Sequence, residues 1–184
     1  MQDPTVTNWR TTNLAFVDLE LSGLNPHVHE ILEIGLILVV RQPELGVIEE
    51  WESKVKPEHI ETADPDSLKV NGYNGEEWKD ALSLDEALNV FLPKVGGAIL
   101  VGQNVAWDWW FLKEALLQRN MPTPFVRQLL DIHSIAYAKL KDSPLAEFHL
   151  GQIGEFLGIL QAERHRALAD ARRAFEVYKK LLST

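Results

Sequence analysis

The first third of the chain has the hydrophobic pattern of β-strands. An apolar run ends at Val17, residues 31–40 are almost wholly apolar, and residues 46–55 alternate in part between apolar and polar. Ser22 and Gly23 predict a turn after the first run, so the first two runs should pair as an antiparallel hairpin. The partial alternation of the third run is typical of a strand with one covered face.

The rest of the chain predicts helices that alternate with short strands. Residues 83–86 fit the capping-box pattern that begins a helix, after a polar stretch at 58–80 that predicts loops and short helical turns. Residues 98–102 form a short apolar run, typical of a strand buried on both faces and therefore central or parallel. The other predicted elements are a helix ending near 119, a strand at 129–131, and helices at 132–140, 150–157 and 167–182. This order predicts an α/β domain with a mixed sheet of five strands flanked by helices.

Length and composition narrow the class of protein. With 184 residues, 46% of them hydrophobic, the chain suffices for one buried core, so we expect a single domain at 13–184 after a polar lead-in at 1–12. The chain has no cysteine, which excludes thiolate metal sites and favours a reducing cytoplasm. It also lacks a signal-peptide pattern and any membrane-length apolar stretch, so we expect no membrane partner. The formal charge of −9 argues against broad attraction to a polyanion. It remains compatible with a nucleic-acid enzyme whose acids are neutralised by metal ions.

Two acids stand at the end of the first predicted strand. Asp18 and Glu20 are separated by one residue, so their carboxylates should share one face of the strand. Two like charges side by side in an apolar hairpin cost about 1 kcal/mol even when fairly wet, which calls for a cation nearby. Taken alone, such a pair more often marks a strand end with solvated acids.

Further polar residues follow the predicted central strand. Asp108 begins the next helix, and Asn104 lies in the intervening loop. The free N–H groups at a helix start suit both an acid and a phosphate, although an ordinary helix cap and turn would look the same.

The last predicted helix supplies another acid beside a histidine. His165 should lie in the loop before this helix and Asp170 in its second turn. The alanines of the same helix would permit a close approach to the sheet, which would bring Asp170 toward Asp18 and Glu20. A histidine beside four carboxylates is hard to explain as core packing.

These three stretches, Asp-Leu-Glu-Leu-Ser-Gly-Leu at 18–24, Gly-Gln-Asn-Val-Ala-Trp-Asp at 102–108 and His-Arg-Ala-Leu-Ala-Asp at 165–170, jointly resemble the DEDDh 3'-to-5' exonucleases. That DnaQ-like family has the ribonuclease-H-like fold and includes polymerase proofreading subunits, oligoribonuclease and ribonuclease T. The resemblance covers residues 13–182. It implies removal of nucleoside 5'-monophosphates from the 3' end of single-stranded DNA or RNA. The chain departs from the family pattern at Leu21 and Ser22, where two threonines are common.

The resemblance also implies a role for each acid. Asp18, Glu20, Asp108 and Asp170 would hold two divalent cations, and His165 would be the general base. Ligands that are all oxygens independently favour Mg²⁺ or Mn²⁺. Two such ions, about 3.5–4 Å apart, can clamp the entering and leaving oxygens of an in-line attack on phosphorus.

Residues near the first acids and in the central loop are candidates for substrate binding. By resemblance, the backbone of Leu21, Ser22 and Gly23 meets the terminal nucleotide, and Leu24 packs against its base. Asn104 is a candidate contact to sugar or phosphate.

Aromatic residues are further candidates for contact with the substrate. Tyr73 can stack on a base or lie half-buried on the domain. We predict that Trp107 is in the core and that either Trp109 or Trp110, which cannot both point inward, lies at the rim of the cleft.

Two other classes of function stay open from the sequence. A metal-dependent phosphodiesterase or phosphatase acting on small nucleotides would bind the same ions without needing a free 3' end. An inactive nucleic-acid-binding relative would keep the scaffold, but the presence of all four acids and the histidine argues against it. A polymerase partner or a homodimer is compatible with the sequence, and the choice between DNA and RNA depends on how the 2'-hydroxyl is received.

Overall fold

A mixed five-stranded sheet forms the centre of the computed structural model, which describes residues 8–160 and 166–183. The strands are β1 (Leu14–Leu21), β2 (Ile31–Val40), β3 (Gly46–Lys54), β4 (Ile99–Gly102) and β5 (Leu129–Asp131). Their order across the sheet is β3-β2-β1-β4-β5. β2 is antiparallel to β1 and β3, whereas β4 is parallel to β1 and β5. The predicted α/β class, the antiparallel hairpin and the parallel apolar strand are therefore confirmed.

Helices cover both faces of this sheet. They are α1 (Pro65–Asn71), α2 (Gly75–Trp78), α3 (Leu84–Val95), α4 (Ala106–Gln118), α5 (Ile132–Leu140), α6 (Leu150–Phe156) and α7 (Ala167–Ser183), with a 3-10 turn at Ile60–Thr62. The predicted capping box begins α3, since the Ser83 hydroxyl accepts a hydrogen bond from the Glu86 N–H and the Glu86 carboxylate accepts one from the Ser83 N–H. Such reciprocal bonds satisfy two N–H groups that a helix start otherwise leaves without partners.

The central strand β1 contributes to two hydrophobic cores, one on each face of the sheet. Ala15 and Val17 point to the core formed with α3 and α4, while Leu14 and Phe16 point to the core formed with α5, α6 and α7. The ring of Phe16 packs edge-on against Phe175 of α7, with ring centroids 5.2 Å apart. Because side chains alternate along a strand, Asp18 and Glu20 continue the face that α7 covers.

The start of α7 lies in direct backbone contact with β2. Gly35 of β2 is the strand partner of Asp18, and a Cβ added to Gly35 would overlap the backbone of Ala167 and Leu168. This position therefore requires glycine for close approach. The contact sets how near the first turn of α7 comes to the acids on β1.

We expect Gly35→Ala to lower the free energy of unfolding by about 3 kcal/mol or more, because the added methyl meets backbone atoms that cannot rotate away. Urea denaturation measures this loss. The matched control is Gly46→Ala in β3, where the new methyl would meet only the Val40 side chain at 3.4 Å. Equal losses at the two positions would contradict the role assigned to Gly35.

Candidate active site

Three carboxylates from two elements meet over the central strand. Asp18 and Glu20 come from β1, and Asp170 comes from the first turn of α7. One oxygen from each of the three lies within 4.8 Å of the others. The prediction that Asp170 lies in the second turn of its helix is wrong. Asp170 is the fourth residue of α7 and lies in its first turn.

The fourth predicted acid joins this group through the backbone of β1. Asp108 is buried near the start of α4, and its Oδ1 accepts a hydrogen bond from the N–H of Leu19 at 3.0 Å. Leu19 lies between Asp18 and Glu20, so the bond fixes Asp108 beside both. Asp108 is not one of the three mutually close acids, but its charge acts on Asp18.

Burial raises the pKa values of Asp18, Glu20 and Asp108, and repulsion from neighbouring acids adds to the shift at Asp18 and Glu20. Loss of solvation, followed by the charge of Asp108, raises the pKa of Asp18 well above its ordinary value. Burial, followed by the charge of Asp170, raises the pKa of Glu20 to about 8. Burial raises the pKa of Asp108 to about 7, although hydrogen bonds from its own N–H and that of Leu19 oppose the shift. The group is therefore costly to ionise together, and a bound cation would reverse that cost.

The donor atoms of this group fit a hard divalent cation. All four side chains offer carboxylate oxygens, the ligand type that Mg²⁺ and Mn²⁺ prefer. The carboxylate oxygens lie close together, and the pKa values of Asp18 and Glu20 are raised, as expected for acids that are arranged to bind a cation.

The loop after β1 is held by its own hydrogen bonds. Ser22 is fully buried, its hydroxyl accepts a hydrogen bond from the Glu30 N–H at 2.7 Å, and its carbonyl accepts one from the Asp64 N–H at 2.8 Å. A side chain at Gly23 would overlap the ring of His29. Ser22 therefore braces the loop, and the predicted contact between the backbone of residues 21–23 and the substrate stays a prediction.

A cavity of about 300 Å³ lies between this loop and α1. Its lining includes Leu21, Gly23 and the exposed Leu24 from the loop, with Val70 and Asn71 from α1. Asn71 is buried, and its amide Nδ2 donates a hydrogen bond to the carbonyl of Leu21 at 3.0 Å. Sequence reasoning did not identify Asn71, because a long-range hydrogen bond leaves no periodic pattern in the sequence.

A second cavity, of about 430 Å³, adjoins the acids on the side of α6. Asp18 and Asp170 line it together with Gln103, His149 and Arg173. Sequence reasoning assigned no role to the last three. His149 also caps α6, since its Nδ1 accepts a hydrogen bond from the Gln152 N–H at 3.2 Å.

Of the two remaining predicted site residues, Asn104 lies within the part of the chain that the structure describes. Asn104 is exposed in the loop before α4, with a left-handed φ of 54° that asparagine tolerates, and its N–H donates to Asp131 Oδ1 at 2.8 Å. His165 lies outside the described residues, so its role stays a prediction.

The tryptophans near Asp108 differ from expectation at one position. Trp107 is 43% exposed, so its predicted place in the core is wrong. The inward positions of α4 include Asp108, which leaves the preceding residue facing outward. Trp109 packs against the core and Trp110 is 39% exposed, consistent with only one of these two pointing inward. The rings of Trp107 and Trp110 are neighbours, with centroids 5.7 Å apart.

Tyr73 lies half-buried on the domain, which is one of the two alternatives predicted for it. Its ring packs against that of Trp78 with centroids 5.1 Å apart.

Comparison with known families identifies the class to which this fold and site belong. The family model described as Exonuclease matches residues 15–178, and the chain therefore belongs to that family. The exonuclease family that the sequence motifs predicted is thereby confirmed. The helices in the described ranges 8–160 and 166–183 are all too short or too polar to span a bilayer.

Curated relatives include bacterial DNA polymerase III proteins. DNA polymerase III subunit epsilon of Escherichia coli is 30% identical over 177 residues, which cover 91% of this chain and 70% of that protein. DNA polymerase III PolC-type of Thermotoga petrophila is 27% identical over 172 residues, which cover 94% of this chain. The match covers only 12% of the length of that PolC-type relative.

Solved structures share the ribonuclease-H-like fold. The nuclease domain of 3'hExo, a DEDDh family member bound to rAMP, has a TM-score of 0.74 at 20% identity, and the match covers 97% of this chain and 94% of that one. Exonuclease I of E. coli in complex with a dT13 oligonucleotide has a TM-score of 0.78 at 17% identity, covering 94% and 41% of the two chains.

The raised pKa of Glu20 predicts how stability depends on pH when divalent ions are chelated. A carboxyl whose pKa is higher in the folded state stabilises folding while it is protonated, and this contribution is lost as pH rises from about 4.5 to about 8. We expect the melting temperature in chelator to fall more steeply over this range for the wild type than for Glu20→Gln. The control is Glu77→Gln, because the Lys54 hydrogen bond lowers the pKa of Glu77 and its contribution is already constant above pH 4.5. Parallel melting curves for wild type and Glu20→Gln would contradict this account of the acids.

Proposed function

We propose that this chain removes nucleoside 5'-monophosphates one at a time from the 3' end of single-stranded DNA or RNA. The observation that carries the proposal is the convergence of the four acids within an exonuclease-family scaffold. Asp18, Glu20 and Asp170 have oxygens within 4.8 Å of one another, and Asp108 is hydrogen-bonded to the residue between the first two. Hydrolysis forms a bond from a water oxygen to phosphorus and breaks the bond from phosphorus to the 3'-oxygen.

The four acids are the proposed ligands of two divalent cations, Mg²⁺ or Mn²⁺. When bound, these ions would lower the pKa of the attacking water and offset negative charge at the phosphate. Asp18 lies centrally, since the charges of the other three acids all act on it, and is the proposed ligand shared by both ions. The hydrogen bond from Leu19 occupies one oxygen of Asp108 and orients the carboxylate toward this group.

His165 is the proposed general base that takes a proton from the attacking water. A histidine suits this role because its unperturbed pKa of about 6.5 is close to working pH. Support comes from its place in the sequence, five residues before Asp170 and two residues before Ala167, the first residue of the helix that carries this acid.

The cavity beside the loop after β1 is the proposed site for the terminal nucleotide. Leu24 is 66% exposed there, and an apolar side chain at the cavity mouth suits packing against a base. Leu21 and Gly23 line the same cavity, and the exposed Asn104 stands near the helix that carries Asp108. The backbone of Ser22 is proposed to meet the terminal nucleotide, while its side chain holds the loop.

The proposed partner is a DNA polymerase, because curated relatives include DNA polymerase III subunits. DNA is accordingly the first substrate to test. RNA stays in the proposal because solved relatives include a 3'-exonuclease that recognises a histone mRNA stem-loop.

The direct test uses 5'-labelled single-stranded DNA and RNA of the same sequence with Mg²⁺ or Mn²⁺. We expect a ladder of 3'-shortened products. Neither the DNA nor the RNA oligonucleotide should be cleaved when its 3' end is chemically blocked. Asp170→Asn should abolish the ladder, while Asp142→Asn, at an exposed position on α5's C-terminal side, should not. Internal cuts, or hydrolysis of small phosphodiesters without a preference for a free 3' end, would favour a different class of phosphodiesterase.

Replacing the proposed base tests the proton-transfer step separately. We expect His165→Ala to lower kcat by ~10²–10⁴-fold while Mn²⁺ binding is retained, because a histidine base contributes to the reaction and not to the oxygen ligands. Single-turnover cleavage of the labelled oligonucleotide measures the loss. The control is His59→Ala, which removes an exposed histidine beside Glu61. A loss smaller than about threefold would remove His165 from this role.

A further inference from the structure

We propose that Glu33 and Arg166 act as a positioning pair that fixes the first turn of α7 on the sheet and thereby sets the affinity of the four acids for divalent cations. This inference rests on the proposed function only in taking these acids as the metal ligands. Neither residue is itself a proposed ligand.

The pair joins a buried strand position to the residue that precedes α7. Glu33 lies on β2, is 1% exposed, and is the strand partner of Glu20. Both Nε and Nη2 of Arg166 lie 3.2 Å from Oε1 of Glu33. Burial raises the pKa of Glu33, and the guanidinium of Arg166 together with the N–H of Ala167 opposes that shift. The carboxylate therefore interacts with both the side chain before the helix and the helix start itself.

Arg166 is linked in turn to one of the acids. Its carbonyl accepts a hydrogen bond from the N–H of Asp170 at 3.0 Å, the first backbone hydrogen bond of α7. A displacement of Arg166 would therefore displace Asp170. This arrangement connects Glu33 to Asp170 through one side-chain contact and one backbone hydrogen bond.

Two neighbouring positions on β2 thus hold the start of α7 opposite the two acids of β1. Gly35, the partner of Asp18, limits how closely the helix approaches, because it meets the backbone of Ala167. Glu33, the partner of Glu20, supplies a directional contact to Arg166. The core packing of Phe175 and Tyr178 restrains α7 farther along its length, whereas the guanidinium of Arg166 adds a directional, charge-assisted contact at its start.

Stability alone does not account for a charged pair at this place. Glu33 is buried, whereas the Arg166 side chain is 38% exposed, so the cost of desolvation falls mainly on the carboxylate. Replacing ion pairs that carry such a cost by well-packed apolar residues is often neutral or stabilising, because desolvation offsets the attraction. What an apolar pair lacks is the directional hydrogen bonding of a guanidinium. Residues that orient metal ligands commonly contribute 10–100-fold to metal affinity, about the size of effect expected here.

The chain contains a matched pair that serves as the control. Arg172 of α7 pairs with Glu50 of β3, so the same residue types join the body of the helix, rather than the residue before it, to the same sheet. Both members of this second pair are substantially exposed, and neither faces an acid of the site in the strand register. Loss of this pair should leave metal affinity unchanged if the effect belongs to position rather than to any Arg–Glu contact.

The experiment measures Mn²⁺ affinity by calorimetry, and thermal unfolding in chelator, for Glu33→Met/Arg166→Met and for Glu50→Met/Arg172→Met. We expect the first double variant to melt near the wild-type temperature but to bind Mn²⁺ at least ~10-fold more weakly, and the second to keep its affinity within about twofold. Wild-type affinity in the first double variant, or an equal loss in both, would overturn the proposal.

A conservative variant keeps the test decisive if the first double variant does not fold. Arg166→Lys keeps the charge but not the planar fork of N–H donors, so we expect a folded protein with a Mn²⁺ affinity reduced by about threefold or more. Unchanged affinity in this variant would overturn the proposal. Because Mn²⁺ binding is measured without nucleic acid, its loss supports the pair even if no oligonucleotide is cut, an outcome that would overturn only the proposed function.

Discussion

Repulsion among buried carboxylates is the constraint on which the rest of this structure depends. Asp18 and Glu20 lie on the central strand, and the acids of α4 and α7 are brought against them where water is scarce. Such a group tends to separate unless other interactions hold its members together. Here the two hydrophobic cores on either side of β1 supply that restraint, because β1 cannot move outward without exposing apolar side chains on both faces. Packing on both faces of the sheet therefore holds the acids together, and a bound cation would offset their repulsion.

The topology explains why the acids converge from distant parts of the sequence. β1 and β4 are parallel neighbours, so their carboxyl ends lie at the same edge of the sheet, and the loop after β4 leads directly into α4. This arrangement places Asp108 beside Leu19. α7 then returns across the face formed by β1 and β2, with Gly35 permitting backbone contact at its start. The acids are therefore fixed by three types of contact, namely strand alternation for Asp18 and Glu20, a backbone hydrogen bond for Asp108, and helix docking for Asp170.

The sequence predicted those parts of the structure that periodicity and short motifs encode. Strand alternation was enough to place Asp18 and Glu20 on one face, and the apolar run at 98–102 was enough to predict a central parallel strand. The side chain of Trp107 could not be placed in this way, because apolar residues occur on several faces of α4. One of the buried positions of this helix is occupied by Asp108. Residues such as Asn71 and Glu33 act through partners far away in the sequence, and their contacts depend on the folded register.

The distribution of charge indicates how a protein with a net charge of −9 can bind a polyanion. Several of its basic side chains are engaged with acids on the surface, including Lys94 with Glu49, Arg119 with Asp85 and Arg172 with Glu50. These pairs leave less positive charge to attract a long phosphate backbone, which would otherwise dominate affinity. In the proposed function, binding energy would then come chiefly from the end of the strand, through cations held by the acids and apolar contacts such as Leu24 with a terminal base. Recognition of a terminus would follow from this distribution, because the attractive interactions would be concentrated there.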